Sequence, residues 1–412
     1  MNELFRVGGI GTGRVFHDEH VPVYAARADV QLTALYDPNQ AAAEQARDYY
    51  LQLRRQAFPD EKHAEIVIYT SAQDLLEQVE IVDICTTVRY HAYYAAMALE
   101  AGVHTMTEIP FARTWWEANY VAEQAKNSKA FFQLNDDNVF IPRYQAIRHV
   151  IESGMIGEPQ NIWITRGCSG SERPGWFWTP LESGGGCIFD YGSHAITASW
   201  FLLGFDKLPV EVRSLGIEVR NRTRQIDGRL RPIEIDDDAH FKIRYHNPLN
   251  DDWITVNIET TWTWPDWSDN GSDVRGFIEV QGSLGSLTGY VNENNEDFVK
   301  ITRRGYTGER LLPIESAHTG DVSIHDEITN FIECVRAGTP SLLNVDVAAA
   351  VIRAINCAQL SELRGRVSIT ARDLESWSRK IAKDSPSPWE AGDRIAVVIN
   401  APHQLKSSRI SS

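Results

Sequence analysis

Segments typical of strands and of helices alternate along about the first 150 residues, and this alternation limits the possible folds more than any other feature. The helix-like segments are rich in alanine and charged residues, as in 41–56, or end at a glycine, as in 93–102. The strand-like segments are short apolar or β-branched runs, at 4–11, 30–37, 65–70, 81–87, 104–109 and 130–135. Such alternation predicts βαβ units and a parallel sheet.

A glycine-rich turn, VGGIGTGRVF, follows the first predicted strand and precedes a helix. Gly11, Thr12 and Gly13 supply the G-x-G of a dinucleotide fingerprint. The first glycine permits the tight turn, and the second lets the backbone approach a pyrophosphate. The N–H groups at the start of the helix, from Arg14 and Val15, would stabilise that pyrophosphate. The turn therefore predicts a nucleotide site.

Two further positions bear on this site. Phe16 occupies the third small position of the fingerprint, and a bulky ring there is expected to change how the helix and strand pack. Asp37 ends the second predicted strand, 24 residues after Gly13, where a carboxylate accepts hydrogen bonds from the ribose hydroxyls. Because an acid at that place repels a 2′-phosphate, the sequence favours NAD over NADP.

The pattern changes after a helix-like segment at 144–159. The following residues contain many β-rich runs and few helices, which is typical of an antiparallel sheet. We expect residues 1–150 to form a nucleotide-binding domain and 151–383 a sheet domain, with a helix at about 345–365 that packs back on the first domain. Residues 384–412 are predicted to be an arm or a partly disordered tail.

A second informative segment, ESGGGCIFDYGSHAITASWFLLG, covers residues 182–204. Asp190 and His194 are four residues apart on its predicted helix, so both lie on one face. A carboxylate beside an imidazole orients the ring and favours its protonated form, which suits a general acid or base. The same spacing also occurs in simple helix salt bridges, but the preceding glycines, 184–186, would let a ligand approach the backbone.

Composition excludes several classes of function. The net charge of −16 disfavours nucleic acid and anionic membranes as partners. The chain has no run of about 20 apolar residues and no signal-peptide pattern at its start, so we expect a cytoplasmic protein. Its five cysteines include no C-x-x-C pair, and the acidic run at 236–238 is followed by no further spaced oxygen ligands, so no metal site is predicted.

Taken together, these segments resemble the glucose–fructose oxidoreductase / inositol dehydrogenase / MocA (Gfo/Idh/MocA) family over most of residues 4–365. The segments that carry the resemblance occur in the family's order: the fingerprint at 8–16, CTTVRYHAYYAAMALEAGVHTMTEIP at 85–110, ESGMIGEPQNI at 152–162 and GGGCIFDYGSHAI at 184–196. The resemblance implies an N-terminal Rossmann dinucleotide-binding domain and a C-terminal α/β domain built on an open, mostly antiparallel sheet. It also implies hydride transfer between a sugar or cyclitol carbon and a nicotinamide cofactor.

The resemblance assigns roles to residues whose positions match the family's motifs. Asp190 and His194 match its acid/base pair. Residues that would contact the cofactor are Gly11, Thr12, Gly13, Arg14, Val15, Asp37, Thr86, Thr87, His91, Glu108 and Asn135. Residues that would contact substrate, besides the acid/base pair, are Arg166, Trp176, Trp178 and Asp136. Asp136 and its neighbour Asp137 could equally form a capping turn.

One position departs from the family. The turn after the fifth strand usually reads Glu-Lys-Pro, and its lysine hydrogen-bonds the reacting hydroxyl, but here Ile109 follows Glu108. Three interpretations remain open. The chain is a dehydrogenase with His194 as base, or a redox-neutral NAD-dependent glycosidase or lyase that oxidises, eliminates and re-reduces, or a non-catalytic nucleotide- or ligand-binding protein.

Tryptophans are dense in two places. Trp176 and Trp178 precede the predicted catalytic helix and could form a wall that stacks on sugar C–H faces. Trp262, Trp264 and Trp267 are more typical of a core or a subunit interface. Relatives of this fold associate through an exposed sheet face, so a homodimer or homotetramer is expected.

Overall fold

The computed structural model describes residues 4–60, 65–170, 175–264, 275–291, 297–306, 308–314 and 322–401. The chain divides into two compact units. The first comprises residues 1–112, 117–137 and 318–349, and the second comprises 113–116, 138–317 and 350–412. Within the described residues, no helix is both long and apolar enough to cross a membrane.

The first unit contains a six-stranded sheet in which every strand pair is parallel. Its strands are β1 (Phe5–Ile10), β2 (Val30–Tyr36), β3 (Val67–Ile68), β4 (Ile81–Ile84), β5 (His104–Glu108) and β6 (Phe132–Asn135). Their order across the sheet is β3-β2-β1-β4-β5-β6, so the chain changes direction between β1 and β4. In open α/β sheets, ligands bind outside the carboxyl ends of the strands at such a switch point. The predicted parallel sheet is confirmed.

The helices connect the strands of both units. They are α1 (Val21–Ala26), α2 (Gln40–Ala57), α3 (Ala72–Leu76), α4 (Val88–Glu100), α5 (Trp115–Ala125), α6 (Pro142–Glu152), α7 (Pro180–Ser183), α8 (Cys187–Leu202), α9 (Val322–Ala337), α10 (Val345–Leu363), α11 (Ala371–Ala382) and α12 (Pro388–Ile399). A π-helical turn, Phe16–His20, leads directly into α1.

Helix α9 lies late in the sequence but belongs to the first unit. Ile328, Phe331 and Ile332 form one apolar face, as their spacing predicts, and they join the core that contains Val7 and Tyr50. The sequence alone groups this helix with the second domain, because order along the chain does not show which core an amphipathic helix covers.

The second unit contains a nine-stranded sheet that is mostly antiparallel, as predicted. Its strands are β7 (Pro159–Gly167), β8 (Leu208–Glu218), β11 (Asp238–His246), β12 (Trp253–Thr261), β13 (Arg275–Gly282), β14 (Gly285–Val291), β15 (Asp297–Arg303), β16 (Arg310–Pro313) and β17 (Ile369–Thr370), while β9 (Thr223–Ile226) pairs with β10 (Arg229–Pro232). Among these pairs, β7 and β12 are parallel. Side chains alternate between the two faces: Phe241, Ile243 and Tyr245 are buried on β11.

Helix α8 packs on the buried face of this sheet, against β7 and β12. The structure describes all sixteen of its residues, and fourteen of them are buried. The other two are Asp190 and His194, which are partly accessible. A helix that is apolar on nearly all sides is a core element, so two accessible polar side chains on it need an explanation beyond packing.

The C-terminal segment differs from the expected arm or tail. Residues Pro388–Ile399 form α12, which begins with a Ser387 side chain that accepts from the Glu390 N–H. Ala391 and Ile395 of α12 pack with Trp377. The apolar positions in this helix recur at helical spacing, and the Ser-Pro start that suggested a tail is an N-cap followed by proline at N1. Residues 402–412 lie outside the described part of the chain.

Candidate functional site

The turn after β1 depends on Gly11. Its φ is +83°, and a β-carbon there would lie 2.6 Å from the backbone nitrogen of Thr86. Its N–H donates to the carbonyl oxygen of Tyr36 at 2.9 Å. A side chain at this position would therefore be strained in conformation and would collide with the loop after β4.

Gly13 is different, because a β-carbon there would meet no described atom within 4 Å. Thr12, between the two glycines, is held by Asp37: its N–H donates to Asp37 Oδ2 at 2.7 Å. Asp37 Oδ1 accepts from the N–H of Asn39 at 2.8 Å. Asp37 thus braces the glycine turn, a role not predicted. Its Oδ2 also accepts from the Thr12 hydroxyl at 3.2 Å, whereas Oδ1 has one donor among the described residues and capacity for a second.

Phe16 is accommodated by a glycine in the neighbouring strand. Its ring is fully buried, and a β-carbon on Gly9 would lie 2.4 Å from the Phe16 ring. The helix opens as a π-helical turn at this point. Of the two residues before Phe16, Val15 is partly buried, whereas Arg14 is exposed and its guanidinium lies 3.3 Å from Glu19 Oε1.

The loop after β4 carries Thr86 and Thr87 into the start of α4. Within the described residues, the buried Thr87 hydroxyl has no hydrogen-bond partner. His91, one turn into α4, is 2% exposed; its Nε2 lies 2.8 Å from the Thr86 carbonyl oxygen and its Nδ1 lies 2.9 Å from that of Pro110. His91 therefore ties the turn after β4 to the turn after β5, and its ring nitrogens face the protein backbone rather than a ligand space.

The turn after β5 centres on Glu108, whose side chain is about one-fifth exposed. Glu108 Oε1 accepts from Asn135 Nδ2 at 3.0 Å, and it lies 3.3 Å from His20 Nε2. Within the described residues, the buried Asn135 Oδ1 has no hydrogen-bond partner. Ile109 is partly buried, and its peptide bond to Pro110 is cis.

A nicotinamide dinucleotide fits these residues. Gly13 leaves open the space that a side chain would fill. The Thr87 hydroxyl and the side-chain amide oxygen of Asn135 are buried polar atoms without a partner among the described residues. Gly13 and Thr87 follow β1 and β4, and Asn135 is the last residue of β6, so all three lie at the carboxyl ends of strands, where such sheets bind nucleotides.

Asp136 and Asp137 follow β6 in the same unit. Asp136 is fully buried, so its burial does not support the expected contact with substrate. Asp137 Oδ2 accepts from the Ser323 hydroxyl at 3.3 Å, at the start of α9.

In the second unit, an aspartate from the acidic run caps α8. Asp236 Oδ1 accepts from the N–H of Gly186 at 2.8 Å, and Oδ2 accepts from that of Ile188 at 2.9 Å. Asp236 is fully buried. A carboxylate at a helix N-terminus satisfies free N–H groups and the helix dipole, so Asp236 fixes where α8 begins.

The glycine run before α8 serves packing rather than ligand approach, contrary to expectation. A β-carbon on Gly186 would lie 1.6 Å from the carbonyl oxygen of Asp236, and one on Gly185 would lie 2.7 Å from the Phe189 ring. Gly184 has φ +82°, and its β-carbon would lie 2.9 Å from the Cα of Arg113. These three positions are occupied by neighbouring protein atoms, which leaves no room for a ligand there.

The other two aspartates of the run also have protein partners. Asp237 accepts from the N–H groups of Arg220 and Asn221 at 2.6 and 3.0 Å. Burial alone would raise the pKa of Asp238, but hydrogen bonds from His240 and Arg220 lower it to about 2. Each carboxylate is therefore committed to a cap, a turn or an ion pair, and none of these contacts calls for a metal.

His194 lies beside an amide whose orientation can be assigned. Arg166 donates to Asn138 Oδ1 at 2.5 Å, and Asn138 Nδ2 lies 2.6 Å from His194 Nδ1. Because a guanidinium is a donor only, the amide oxygen must face Arg166 and the NH2 group must face His194. His194 Nδ1 therefore accepts, and the proton of a neutral ring is on Nε2.

Asp190 is contacted by Trp262, which the sequence predicted to lie in a core or a subunit interface. Trp262 is fully buried, and its Nε1 donates to Asp190 Oδ2 at 3.2 Å. Trp178 is 3% exposed and packs edge-on against Trp262, so it is part of the core and not the open wall that was predicted. Trp176 is partly buried and packs on Phe177. Trp267 lies outside the described residues.

Each unit thus gathers some predicted residues. The first brings Gly11, Thr86 and His91 together, and joins Glu108 to Asn135. The second links Arg166 to His194. Sequence reasoning missed five contributors to these contacts: His20, Asn138, Asp236, Trp262 and Asp83, whose Oδ2 lies 2.7 Å from His20 Nδ1. Polar residues inside otherwise apolar segments, such as Asp83 in IVDICTT, were the available signal.

Two sequence profiles match the chain. One is described as an oxidoreductase family with an NAD-binding Rossmann fold and matches residues 5–135. The other is described as the GFO/IDH/MocA C-terminal domain and matches residues 144–288.

Curated proteins and solved structures are similar as well. A D-glucoside 3-dehydrogenase of Escherichia coli (strain K12) is 29% identical over 206 residues, which is 48% of this chain and 54% of that protein. A glycosyl hydrolase family 109 protein of Shewanella baltica (strain OS195) is 28% identical over 163 residues, 38% of this chain and 33% of that protein. The chain therefore spans about half, or less, of the length of these relatives. A levoglucosan dehydrogenase in complex with NADH and L-sorbose shares the fold, with a TM-score of 0.74 at 20% identity over 90% of this chain and 99% of that one.

Proposed function

Because this chain belongs to the Gfo/Idh/MocA family of NAD-binding oxidoreductases, we propose that it transfers hydride between NAD and a hydroxyl-bearing carbon of a sugar, glycoside or cyclitol. The observation that carries the proposal is the exposure pattern of α8. Asp190 and His194 are its two partly accessible residues, on a helix that is otherwise buried. The names of two relatives, a D-glucoside 3-dehydrogenase and a levoglucosan dehydrogenase, support a carbohydrate substrate.

The nicotinamide supplies the hydride acceptor when it is bound. Gly11, Gly13 and Asp37 would hold the adenosine half, and Thr87, Glu108 and Asn135 would contact the rest. The carboxylate at Asp37 disfavours a 2′-phosphate, which supports NAD rather than NADP.

His194 would exchange the hydroxyl proton of the substrate. With Asn138 donating to Nδ1, the ring presents Nε2–H and acts as a hydrogen-bond donor to the substrate oxygen. To accept the hydroxyl proton at Nε2 during oxidation, the ring must carry its own proton on Nδ1, which requires the Asn138 amide to reverse. Arg166, which donates to the amide oxygen, opposes that reversal. Asn138 and Arg166 therefore influence the direction in which His194 moves a proton.

A redox-neutral glycosidase is the second candidate, favoured by the glycosyl hydrolase relative and by Ile109. In this reaction a ring hydroxyl is oxidised, the adjacent C–H proton leaves to a base, and the glycosidic substituent leaves by elimination. Water would then add to the double bond, and the hydride would return to the oxidised ring carbon, so that no net oxidant would be consumed.

A panel of sugars, glycosides and cyclitols incubated with NAD separates the candidates. NADH absorbance, product release and exchange of the proton next to the oxidised carbon are followed together. Steady NADH accumulation supports the dehydrogenase, and cleavage with proton exchange but without net NADH supports the glycosidase. No turnover and no affinity for NAD would overturn both and leave a non-catalytic ligand-binding protein.

The variant Gly13→Ala tests the nucleotide site without disturbing the fold. Its β-carbon meets no described atom within 4 Å, so the melting temperature should stay within about 2 °C of wild type. If the backbone here approaches a pyrophosphate, the added methyl group should weaken NADH binding at least tenfold, measured by fluorescence titration. Unchanged affinity would contradict the placement of the pyrophosphate.

We further propose a homodimer or homotetramer that buries the exposed face of the nine-stranded sheet. Leu215, Trp253 and Phe277 on this unit are 49, 44 and 41% exposed. Leu215 lies on β8, Trp253 on β12 and Phe277 on β13, and burial of their apolar surface would favour association. Light scattering after gel filtration should give two or four times the chain mass of 46.5 kDa. A monomer at micromolar concentration would contradict this.

A further inference from the structure

A buried histidine in the first unit, His20, lies between two carboxylates. Its Nδ1 is 2.7 Å from Asp83 Oδ2, and its Nε2 is 3.3 Å from Glu108 Oε1. His20 is 1% exposed and Asp83 is fully buried. A neutral imidazole can donate from one nitrogen only, so acceptors at both nitrogens are satisfied only by the charged ring.

Asp83 is well placed to anchor that charge. Its Oδ2 also accepts from the Tyr24 hydroxyl at 2.7 Å, and its Oδ1 accepts from the Cys85 thiol at 3.5 Å. Burial alone would lower the pKa of His20, but its contacts with Cys85 and Asp83 raise it well above the ordinary value. Because burial also raises the pKa of the Cys85 thiol well above its ordinary value, the Asp83 carboxylate is the charge that favours a protonated ring.

Further carboxyl groups surround Glu108 within the same unit. Burial, together with the charges of Glu108 and Asp137, raises the pKa of Glu327 well above its ordinary value. Burial also raises the pKa of Glu19, and Glu108 adds to that effect. In both cases the charge of His20 acts in the opposite direction. His20 thus opposes, without cancelling, the effect of burial and of neighbouring carboxylates that raises the pKa of both acids.

We propose that His20 is the positioning residue for Glu108. Its charged imidazole, anchored by Asp83, pairs with the Glu108 carboxylate and fixes its orientation beside Ile109, a side chain that contributes no charge. The role of Glu108 in contacting NAD rests on the proposed function, whereas the ion pair itself does not. The two parts are therefore tested separately.

The ion pair is tested in the protein without cofactor by a double-mutant cycle. Melting temperatures are compared at pH 7 for wild type, His20→Gln, Glu108→Gln and the double variant. If the pair is coupled, the double variant should lose at least about 3 °C less than the sum of the two single losses. Additive losses would overturn the proposal. Tyr24→Phe is the matched control, because it removes a bond to Asp83 but leaves the His20–Glu108 contact, and its loss should add to that of Glu108→Gln.

The melting temperature that His20→Gln loses should depend on pH in a defined direction. Because folding raises the pKa of His20, its stabilising contribution is complete below about pH 6.5 and is lost as the pH rises through the pKa that His20 has in the folded protein. The difference in melting temperature between wild type and His20→Gln should therefore be widest near pH 6 and should narrow as the pH approaches that pKa. If His20→Gln does not fold, ¹⁵N spectra of histidine-labelled wild type and Glu108→Gln decide the question. A His20 ring that is neutral at pH 7 in wild type would overturn the proposal.

The cofactor part is tested by a second double-mutant cycle, on NADH binding at pH 7. If His20 acts through Glu108, His20→Gln and Glu108→Gln should each weaken NADH binding by about tenfold, and the double variant should bind about as weakly as Glu108→Gln alone. Additive weakening in the double variant would overturn the positioning role. Absence of NADH binding in wild type would overturn the proposed function and leave the melting cycle to judge His20.

Discussion

Replacing His194 with alanine is expected to lower kcat by about 100- to 10,000-fold, the range that a positioned acid or base contributes. The helix should tolerate the change, since His194 is partly accessible and alanine favours helix. The measurement is initial rate on the substrate that the panel identifies, with NADH affinity as a second value. KM should change less than kcat, because the proton moves in the transition state.

His246→Ala is the matched control for this loss. His246 is also a histidine of the second unit, on β11, and its Nε2 lies 2.7 Å from the exposed Asp251. Its rate should stay within about threefold of wild type. A rate for His194→Ala within that same range would remove His194 from the mechanism and direct attention to the carboxylates of the first unit.

Asn138→Asp separates two roles of His194. An aspartate at 138 would accept from both Arg166 and His194 Nδ1–H, so the ring would present an unprotonated Nε2. This change complements the alanine variant. It should raise the rate of substrate oxidation if His194 is the base, and should lower the rate if the Nε2–H group must donate to the substrate.

Replacing Gly186 with alanine is expected to lower the free energy of unfolding by at least about 3 kcal/mol. The new β-carbon would lie 1.6 Å from the backbone oxygen of Asp236, a group that cannot rotate away. The N–H of Gly186 also donates to the Asp236 carboxylate, so movement of the backbone would break the cap of α8. Urea unfolding followed by circular dichroism measures the loss.

Gly192→Ala provides the comparison on the same helix. Its β-carbon would lie 3.4 Å from Ile188, an ordinary van der Waals contact. Because glycine is unfavourable inside helices, this variant should be as stable as wild type or more stable by up to about 1 kcal/mol. Equal destabilisation by the two changes would show that α8 tolerates no added methyl group, and that the clash with Asp236 is not the cause of the loss in Gly186→Ala.

The parallel sheet, the antiparallel sheet and the family were predictable from sequence because their signals are local. Strand and helix periodicity needs only a few neighbouring residues, and the glycine turn is a short motif. The partners of the site residues were not predictable. His20 meets Asp83 across 63 positions, and Gly186 meets Asp236 across 50. No pattern in a single sequence records which distant residues will be neighbours.

Two errors have particular physical reasons. The glycines at 184–186 were interpreted as room for a ligand, but close approach of backbone to backbone imposes the same requirement on a residue as close approach to a ligand. Trp178 was expected to be exposed because it lies near α8, which carries the predicted acid/base pair, yet an indole with Trp262 beside it gains more from burial. His91 shows the same limit, since a histidine that joins two backbone carbonyls cannot be distinguished in sequence from one that binds a cofactor.

The packing of the Phe16 ring against Gly9 has a consequence for how the sequences of such chains vary between species. The fingerprint normally has a small residue on the helix, at position 16; here the small residue is Gly9 on the strand, and the Phe16 ring fills the space beside it. A side chain at position 9 becomes tolerable only after the ring at 16 shrinks, and the order of those substitutions is constrained. Among relatives, large residues at 16 should co-occur with glycine at 9, and searches that demand G-x-G-x-x-G will overlook chains that keep the total volume while exchanging its location.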